Sequence, residues 1–435
     1  MNDSKQLNIG ILMYGVGHHQ AAWLEDDSSV NEFTTIDYYE NLAKIAERGK
    51  FDAVFFADSQ AFPADSPTEL PASYFDPVVA LTAMSKVTDN VGLVSTISGT
   101  FNNPFTTARQ LLTLQHITKG RMGWNLVTSM TDREAQNHSI PELPERVVRY
   151  KKADEFAEVM NKLFESWSIE SYKPDKENNT ITKNKNIQPI NHNGENFQVK
   201  GPLTLPLRKE GKPVAMQAGA SKEGVALAAK YADAVYSVSW NLRQANIYRE
   251  KLNQAIKESR RPHNYIKVFP GLVTYVGKTK EEAQEKKAKL DNLLPIDTAL
   301  NQLEFFIQQD TKSWKLDEKV PKLPPVEEFK GPVGRYQTVL EIIEDRNPTV
   351  RELLGYLNAG GGHLTLIGTP EEIVDELERW MNEGAADGFN LMPPTLPGSL
   401  EDFVDLVIPE MQKRGIFRRD YNGETFREML ELDKY

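Results

Sequence analysis

Short apolar, β-branched runs recur along the chain at residues 7–14, 52–57, 91–97, 122–127, 213–217, 234–238, 266–276 and 389–392, each of strand length. Between most of them apolar positions return with helical spacing, at 36–48, 77–85, 106–117, 150–167, 223–231 and 371–383. Alternation of β with α predicts a parallel sheet whose strands are joined by crossover helices. A doubly wound nucleotide-binding sheet would carry a G-x-G-x-x-G turn after its first strand, whereas that strand ends here at Tyr14-Gly15-Val16-Gly17-His18-His19, a fragment of the pattern. Eight strands predict instead a closed (β/α)8 TIM barrel, read as one domain over residues 1–435.

Two segments interrupt the alternation. Residues 168–212 are polar and rich in Asn and Lys, with a hairpin expected around His192-Asn193-Gly194-Glu195 because Asn-Gly suits a type I′ turn. Residues 278–360 are charged and mainly helical in pattern. Both are long for βα connections, so both are expected as insertions at the C-terminal face of the barrel. Residues 400–435 read as one or two further helices on the outside.

Composition narrows the function more than the fold. The 435 residues are 40% hydrophobic and 26% charged, a globular balance, and the net charge of −11 comes without a basic, aromatic-laced run, which argues against a nucleic-acid partner. The absence of cysteine excludes disulfides, thiolate metal sites and a cysteine nucleophile. No apolar run approaches the roughly 20 residues of a membrane span, and the polar Met1-to-Gln6 start lacks a signal-peptide pattern, so a cytoplasmic protein is expected.

In a TIM barrel the chemistry stands at the C-terminal ends of the strands. The residues expected there are His18 and His19, Asp58, Thr96 and Ser98, Asn125 and Thr128, Gly219 and Ser221, and Asn390, a polar and mostly uncharged ring. Only His18, His19 and Asp58 could begin a metal site, and adjacent histidines on extended chain point to opposite sides, so one is expected to pack and one to face the mouth. Ser221, in Gln217-Ala218-Gly219-Ala220-Ser221-Lys222-Glu223-Gly224, is placed either to cap the next helix or to bind phosphate at its start. Thr369-Pro370-Glu371-Glu372 reads as a capping box and Gly360-Gly361-Gly362 as a turn, since no P-loop pattern is satisfied there. No G-x-S-x-G elbow or paired-carboxylate motif appears, which favours a reaction carried by a cofactor.

Several stretches together resemble the nitrilotriacetate monooxygenase and dibenzothiophene-sulfone monooxygenase branch of the bacterial-luciferase-like flavin superfamily. They are Gly17-His18-His19-Gln20-Ala21-Ala22-Trp23, Phe55-Phe56-Ala57-Asp58, Arg121-Met122-Gly123-Trp124-Asn125-Leu126-Val127-Thr128-Ser129, Arg149-Tyr150, Gln217 to Ser221, and Asp387-Gly388-Phe389-Asn390-Leu391-Met392-Pro393-Pro394. The resemblance implies a monooxygenase that takes reduced FMN from a separate NAD(P)H:flavin reductase and uses O2, through a C4a-(hydro)peroxyflavin, on a small organic substrate. It further implies that Asp58, Thr96 and Asn125 meet the flavin ring or ribityl chain, and that Tyr150, Gly219, Ala220 and Ser221 hold the phosphate end. His18 and His19 fall on the substrate side as candidate catalytic residues, and no metal is implied. One position departs from the family: where a histidine usually stands four residues before the tyrosine, this chain has Arg146, a candidate phosphate or ribityl ligand. An F420-dependent oxidoreductase and a non-catalytic flavin-binding protein are the alternatives on the same barrel, and a homodimer is the default assembly.

Overall fold

In the computed structural model, which describes residues 5–62, 71, 74–259, 261, 265–329 and 333–432, nine parallel strands form the main sheet. They are β1 (Asn8–Met13), β2 (Ala53–Phe56), β3 (Gly92–Ser98), β4 (Met122–Val127), β5 (Val214–Ala218), β6 (Ala234–Ser237), β7 (Lys267–Val276), β8 (Leu364–Gly368) and β9 (Gly388–Leu391). All but β8 close a ring: Asn390 of β9 lies opposite Gly271 of β7 on one side and Gly10 of β1 on the other. β8 pairs with the end of β7, from Leu272↔Leu364 to Val276↔Gly368, beyond the closed ring. The architecture is therefore the eight-stranded (β/α)8 barrel, and its eight strands are the eight apolar runs of the sequence. The ninth, Leu364-Thr365-Leu366-Ile367-Gly368, is an addition.

Side chains alternate across the strands. Leu12, Phe55, Val94, Met216 and Phe269 pack with one another in one cluster, while Ile97, Trp124 and Leu126 belong to the layer shared with the helices. That outer layer comprises α1 (Ile36–Arg48), α2 (Pro77–Met84), α3 (Pro104–Ile117), α4 (Arg146–Phe164), α5 (Lys222–Tyr231) and α6 (Leu242–Ser259). The insertion supplies α7 (Lys280–Leu293), α8 (Ile296–Ile307), α9 (Val333–Arg346) and α10 (Val350–Leu357), and α11 (Pro370–Asn382) returns to the barrel. Caps set the starts: Asn103 accepts from the Thr106 N–H with Pro104 at the first position, so α3 begins ahead of the apolar period. Thr369 and Glu372 form the capping box of α11.

The N-terminal end of the barrel is sealed by charge. Asp52, Asp233 and Asp387 each stand one residue before a strand, and their carboxylates accept the backbone N–H of Ile9 (2.6 Å), Ala215 (2.9 Å) and Val268 (2.9 Å) on the neighbouring strand. Each carboxylate also pairs with a buried arginine: Arg418, Arg427 and Arg249 respectively. Two of these arginines come from the segment after the helices of residues 398–414. That segment passes beneath the barrel and places the fully buried Phe426 against Gly92 and Gly123, where a Cβ would stand 2.6 Å and 2.9 Å from the ring. Residues beyond 400 therefore do more than pack outside, because they form the floor.

The two insertions part company. Residues 278–360 follow β7 and lie at the mouth, but residues 168–212 follow a helix, not a strand, and line the flank of the barrel. His116 bonds the Pro206 carbonyl (2.8 Å), Gln115 donates to the Gly211 carbonyl (3.0 Å), and Glu155 of α4 accepts from the N–H groups of Asn196 (2.8 Å) and Phe197 (2.9 Å). Glu155 also corrects the hairpin expected at 192–195. The strands are His192–Asn193 and Gln198–Val199, joined by a four-residue loop that wraps the carboxylate instead of a two-residue Asn-Gly turn. Among the described residues no helix is long and apolar enough to cross a membrane.

Candidate functional site

The mouth has two halves. On the side of β2 to β5, register places Thr96 opposite Asn125, and Asn125 Nδ2 donates to Thr96 Oγ1 at 3.3 Å. Asn125 is only 3% exposed, and its Oδ1 has no hydrogen-bond partner among the described residues. A buried acceptor left bare costs about 1–3 kcal/mol, so a donor brought to Asn125 Oδ1 would be favoured there. Asp58 follows β2, accepts from Gln60 Nε2 at 3.2 Å, and is held up at about 6 by burial, reinforced by the charges of Asp76 and Glu134. It lines, with Gln60, Asp76, Thr96, Asn103 and Gln110, a polar cavity of about 220 Å³ between the strand ends and the starts of α2 and α3.

Around the rim, β5 runs through Gly219 and Ala220 to Ser221, which caps α5 by accepting the Gly224 N–H at 3.1 Å. Tyr150 reaches in from the second turn of α4: a Cβ added to Gly224 would meet its Oη at 3.2 Å and Ser221 Oγ at 3.3 Å, and one added to Gly219 would lie 3.6 Å from the same Oη. Two hydroxyls and the free N–H groups of a helix start thus converge on a spot kept open by two glycines. Tyr248 Oη donates to the Gly219 carbonyl at 3.2 Å and fixes that turn. Arg146, first residue of α4, leans toward the same helix start, with Nη2 3.7 Å from Glu223 Oε1 and half its side chain exposed. The structure brings Arg146, Tyr150, Gly219, Ala220 and Ser221 into one cluster and Asp58, Thr96 and Asn125 into another.

The histidines are divided. The Ala21 N–H donates to His19 Nδ1 (3.1 Å), so His19 carries its proton on Nε2 and donates it to Asp291 Oδ1 (3.1 Å) on α7. His19 is 1% exposed, and the Asn358 amide also donates to Asp291 Oδ1 at 2.9 Å. Burial alone would raise the Asp291 carboxyl, but these hydrogen bonds and the Lys287 charge hold it at about 2. His18 is half-buried, donates Nε2–H to the Leu12 carbonyl at 3.0 Å and stacks on Tyr14 at 5.2 Å. Burial lowers its pKa to about 4, so it stays neutral at neutral pH.

Residues 13–387 match the family model described as Luciferase-like monooxygenase. The chain belongs to this family. The luciferase-like monooxygenase is 37% identical to N-acetyl-S-(2-succino)cysteine monooxygenase of Bacillus subtilis (strain 168), over 99% of this chain and 97% of the relative. It is likewise 37% identical to nitrilotriacetate monooxygenase component A of Aminobacter aminovorans, over 99% and 98%. Among solved structures it superposes on a riboflavin lyase holding modified FMN and riboflavin with a TM-score of 0.85, at 27% identity over 99% and 97% of the two chains. The monooxygenase also presents, on the other half of its mouth, groups that sequence patterns did not single out: Tyr14, Tyr236, Arg335 and His363. Of these only His363 carried a local signal, its place after three glycines.

Proposed function

We propose that this luciferase-like monooxygenase is the oxygenase of a two-component system, taking FMN reduced by a separate NAD(P)H:flavin reductase and inserting one atom of O2 into a small organic substrate. The observation that carries the cofactor assignment is the convergence of Tyr150 Oη, Ser221 Oγ and the start of α5 on the space left by Gly219 and Gly224. A phosphate there would meet two hydroxyls, open N–H groups and the positive end of a ten-residue helix, with Arg146 at its edge. Further inward, Asn125 Oδ1 offers an acceptor for an N–H of the isoalloxazine, and Asp58 and Thr96 border the ring or ribityl chain. Reduced FMN supplies the two electrons that let O2 give one oxygen atom to the substrate and the other to water.

The side chains then have separate tasks. Tyr150 and Ser221 anchor, Thr96 and Asn125 orient, and Asp58, its carboxyl near 6, exchanges a proton within the neutral range at its own oxygen atoms. His18 faces the substrate side as a neutral group, and His19 is a positioning residue that fastens the insertion over the mouth through Asp291. That insertion excludes water from the reacting centre. The test is O2 uptake with chemically reduced FMN across sulfur, amine and ketone compounds, beside titrations with FMN and with F420. Substrate-dependent uptake with FMN binding is expected; F420 bound in preference, or no uptake with any compound, would refute the proposal.

A further inference from the structure

We propose that Arg335 is a carboxylate anchor, and that the substrate of this enzyme carries a carboxylate that it presents to the half of the mouth formed by β1, β6, β7 and β9. The inference deepens the monooxygenase reading and rests on it for placing the substrate at the mouth. Arg335 comes from α9 of the insertion, and its Nη1 donates to the carbonyls of Gly360 (3.1 Å) and Gly361 (2.6 Å). Those two bonds hold one corner of the guanidinium at the turn that leads to His363 and β8. Phe306 stacks behind it, its ring centroid 5.6 Å from Cζ.

The rest of the fork has no anionic partner. Among the described residues no carboxylate lies in ion-pair contact with Arg335, whereas the half-buried Lys50, Arg261, Lys287 and Arg414 each meet one; the buried Arg121, which also meets none, bonds neutral oxygens through all three of its nitrogens. Two carbonyls and a ring offset only part of the hydration such a cation gives up, and a planar fork with free N–H groups is the geometry that receives a carboxylate in two parallel bonds. Arg335 differs from Arg121 in that only its Nη1 is hydrogen-bonded among the described residues, which leaves Nε–H and the Nη2 donors for a ligand.

The surroundings say what else the ligand must be. The charge of Arg335 is felt by His18, Tyr236 and His363, and burial helps to keep both histidines neutral. Tyr236, from the end of β6, stacks on His363 at 5.3 Å, and its Oη lies 3.1 Å from His363 Nε2 and 3.0 Å from Met392 Sδ, just past the end of β9. Tyr14 and His18 form a second stacked pair past the end of β1. One fixed cation beside neutral rings and a thioether suits a small molecule with an anionic end and an uncharged, polarisable body. The strands that hold the proposed phosphate and ring sites lie on the opposite half, so the two ligands do not compete for one charge.

Binding of thiodiacetate, succinate and iminodiacetate, each beside its dimethyl ester, is measured by calorimetry on the wild type and on Arg335→Gln and Arg335→Lys, with FMN titrated in parallel and melting midpoints recorded. At least one acid is expected to bind about 10- to 100-fold more tightly than its ester, the loss of a charge-assisted pair, with most of that margin gone in Arg335→Gln and part of it restored in Arg335→Lys. Acids that bind no better than their esters, or that bind Arg335→Gln as tightly as the wild type, overturn the anchor. The acid-to-ester contrast on the wild type is read without any variant, so a poorly folded Arg335→Gln does not blunt the test. A wild type that binds acids selectively but takes no FMN sinks the flavin reading and leaves the anchor standing, whereas FMN binding without acid selectivity does the reverse.

Discussion

Gly224→Ala is predicted to move stability and cofactor affinity in opposite directions. Gly224 is the third residue of α5 and is buried, so replacing it by alanine removes backbone freedom from the unfolded chain and favours the helix by about 0.5–1 kcal/mol. The new methyl would stand 3.2 Å from Tyr150 Oη and 3.3 Å from Ser221 Oγ, a few tenths of an ångström inside ordinary contact. The two hydroxyls must give way, and the Tyr150 side chain yields most readily because it swings from a neighbouring helix. Without ligand this costs little; with a phosphate it forfeits at least one hydrogen bond to a charged group, about 1.5–3 kcal/mol, or roughly 10- to 100-fold in Kd. Quenching of flavin fluorescence gives the affinity, and a urea melt of the ligand-free protein gives the stability. A folded Gly224→Ala that binds FMN as tightly as wild type would refute the cradle, and so would a Tyr150→Phe variant with unchanged affinity.

Three further outcomes follow from the same geometry. The folded state holds the Asp58 proton up to about pH 6 while the unfolded chain releases it near 3.8, so stability falls as pH rises between these values and is level above; Asp58→Asn should abolish that slope and stabilise the ligand-free protein at pH 8 by about 1–3 kcal/mol, and parallel pH profiles for the two proteins would contradict it. Asp291, held at about 2, contributes in the opposite sense, its stabilisation present above about pH 4 and lost as pH falls toward 2. Asp291→Ala should therefore speed hydrogen exchange in α7 to α10 at pH 7 and leave β2 to β4 protected, whereas uniform loss would mean the clasp is not local. Phe426→Ala should cost about 3–5 kcal/mol in a urea melt, since it opens a cavity beneath Gly92 and Gly123, and a loss below about 1 kcal/mol would show that the floor collapses freely.

The barrel was legible because each strand is a short apolar run in its own right and several helix starts carry a local cap, such as Asn103-Pro104 or Thr369-Pro370. The two clusters on the β2 to β5 side were legible in identity, through family motifs, but their assembly was not: nothing near Tyr150 in sequence announces Gly224. β8 escaped although its Leu364 and Leu366 alternate, since it lies just past the stretch of 278–360 read as insertion and directly after the glycine turn. The placement of residues 168–212 and of Phe426 depends on contacts between distant positions, with Glu155 and with Gly92 and Gly123, and has no local pattern to find. Arg335 was invisible for the same reason: a cation in a charged helical stretch declares itself only when its surroundings lack a carboxylate.

The insertion that carries Arg335 has an apolar cluster of its own, built from Leu303, Phe306, Tyr336, Ile342, Leu353 and Leu357 among others, and it touches the barrel's loops through Ala21 and Trp240. Such a body can accumulate substitutions without disturbing the eight strands or the charged floor beneath them. Divergence within this lineage would then concentrate in one inherited block: descendants could change what they oxidise by altering residues 278–360 while the cofactor half of the mouth passes on unaltered. Exchanging that block between relatives is accordingly the smallest graft expected to transfer substrate preference.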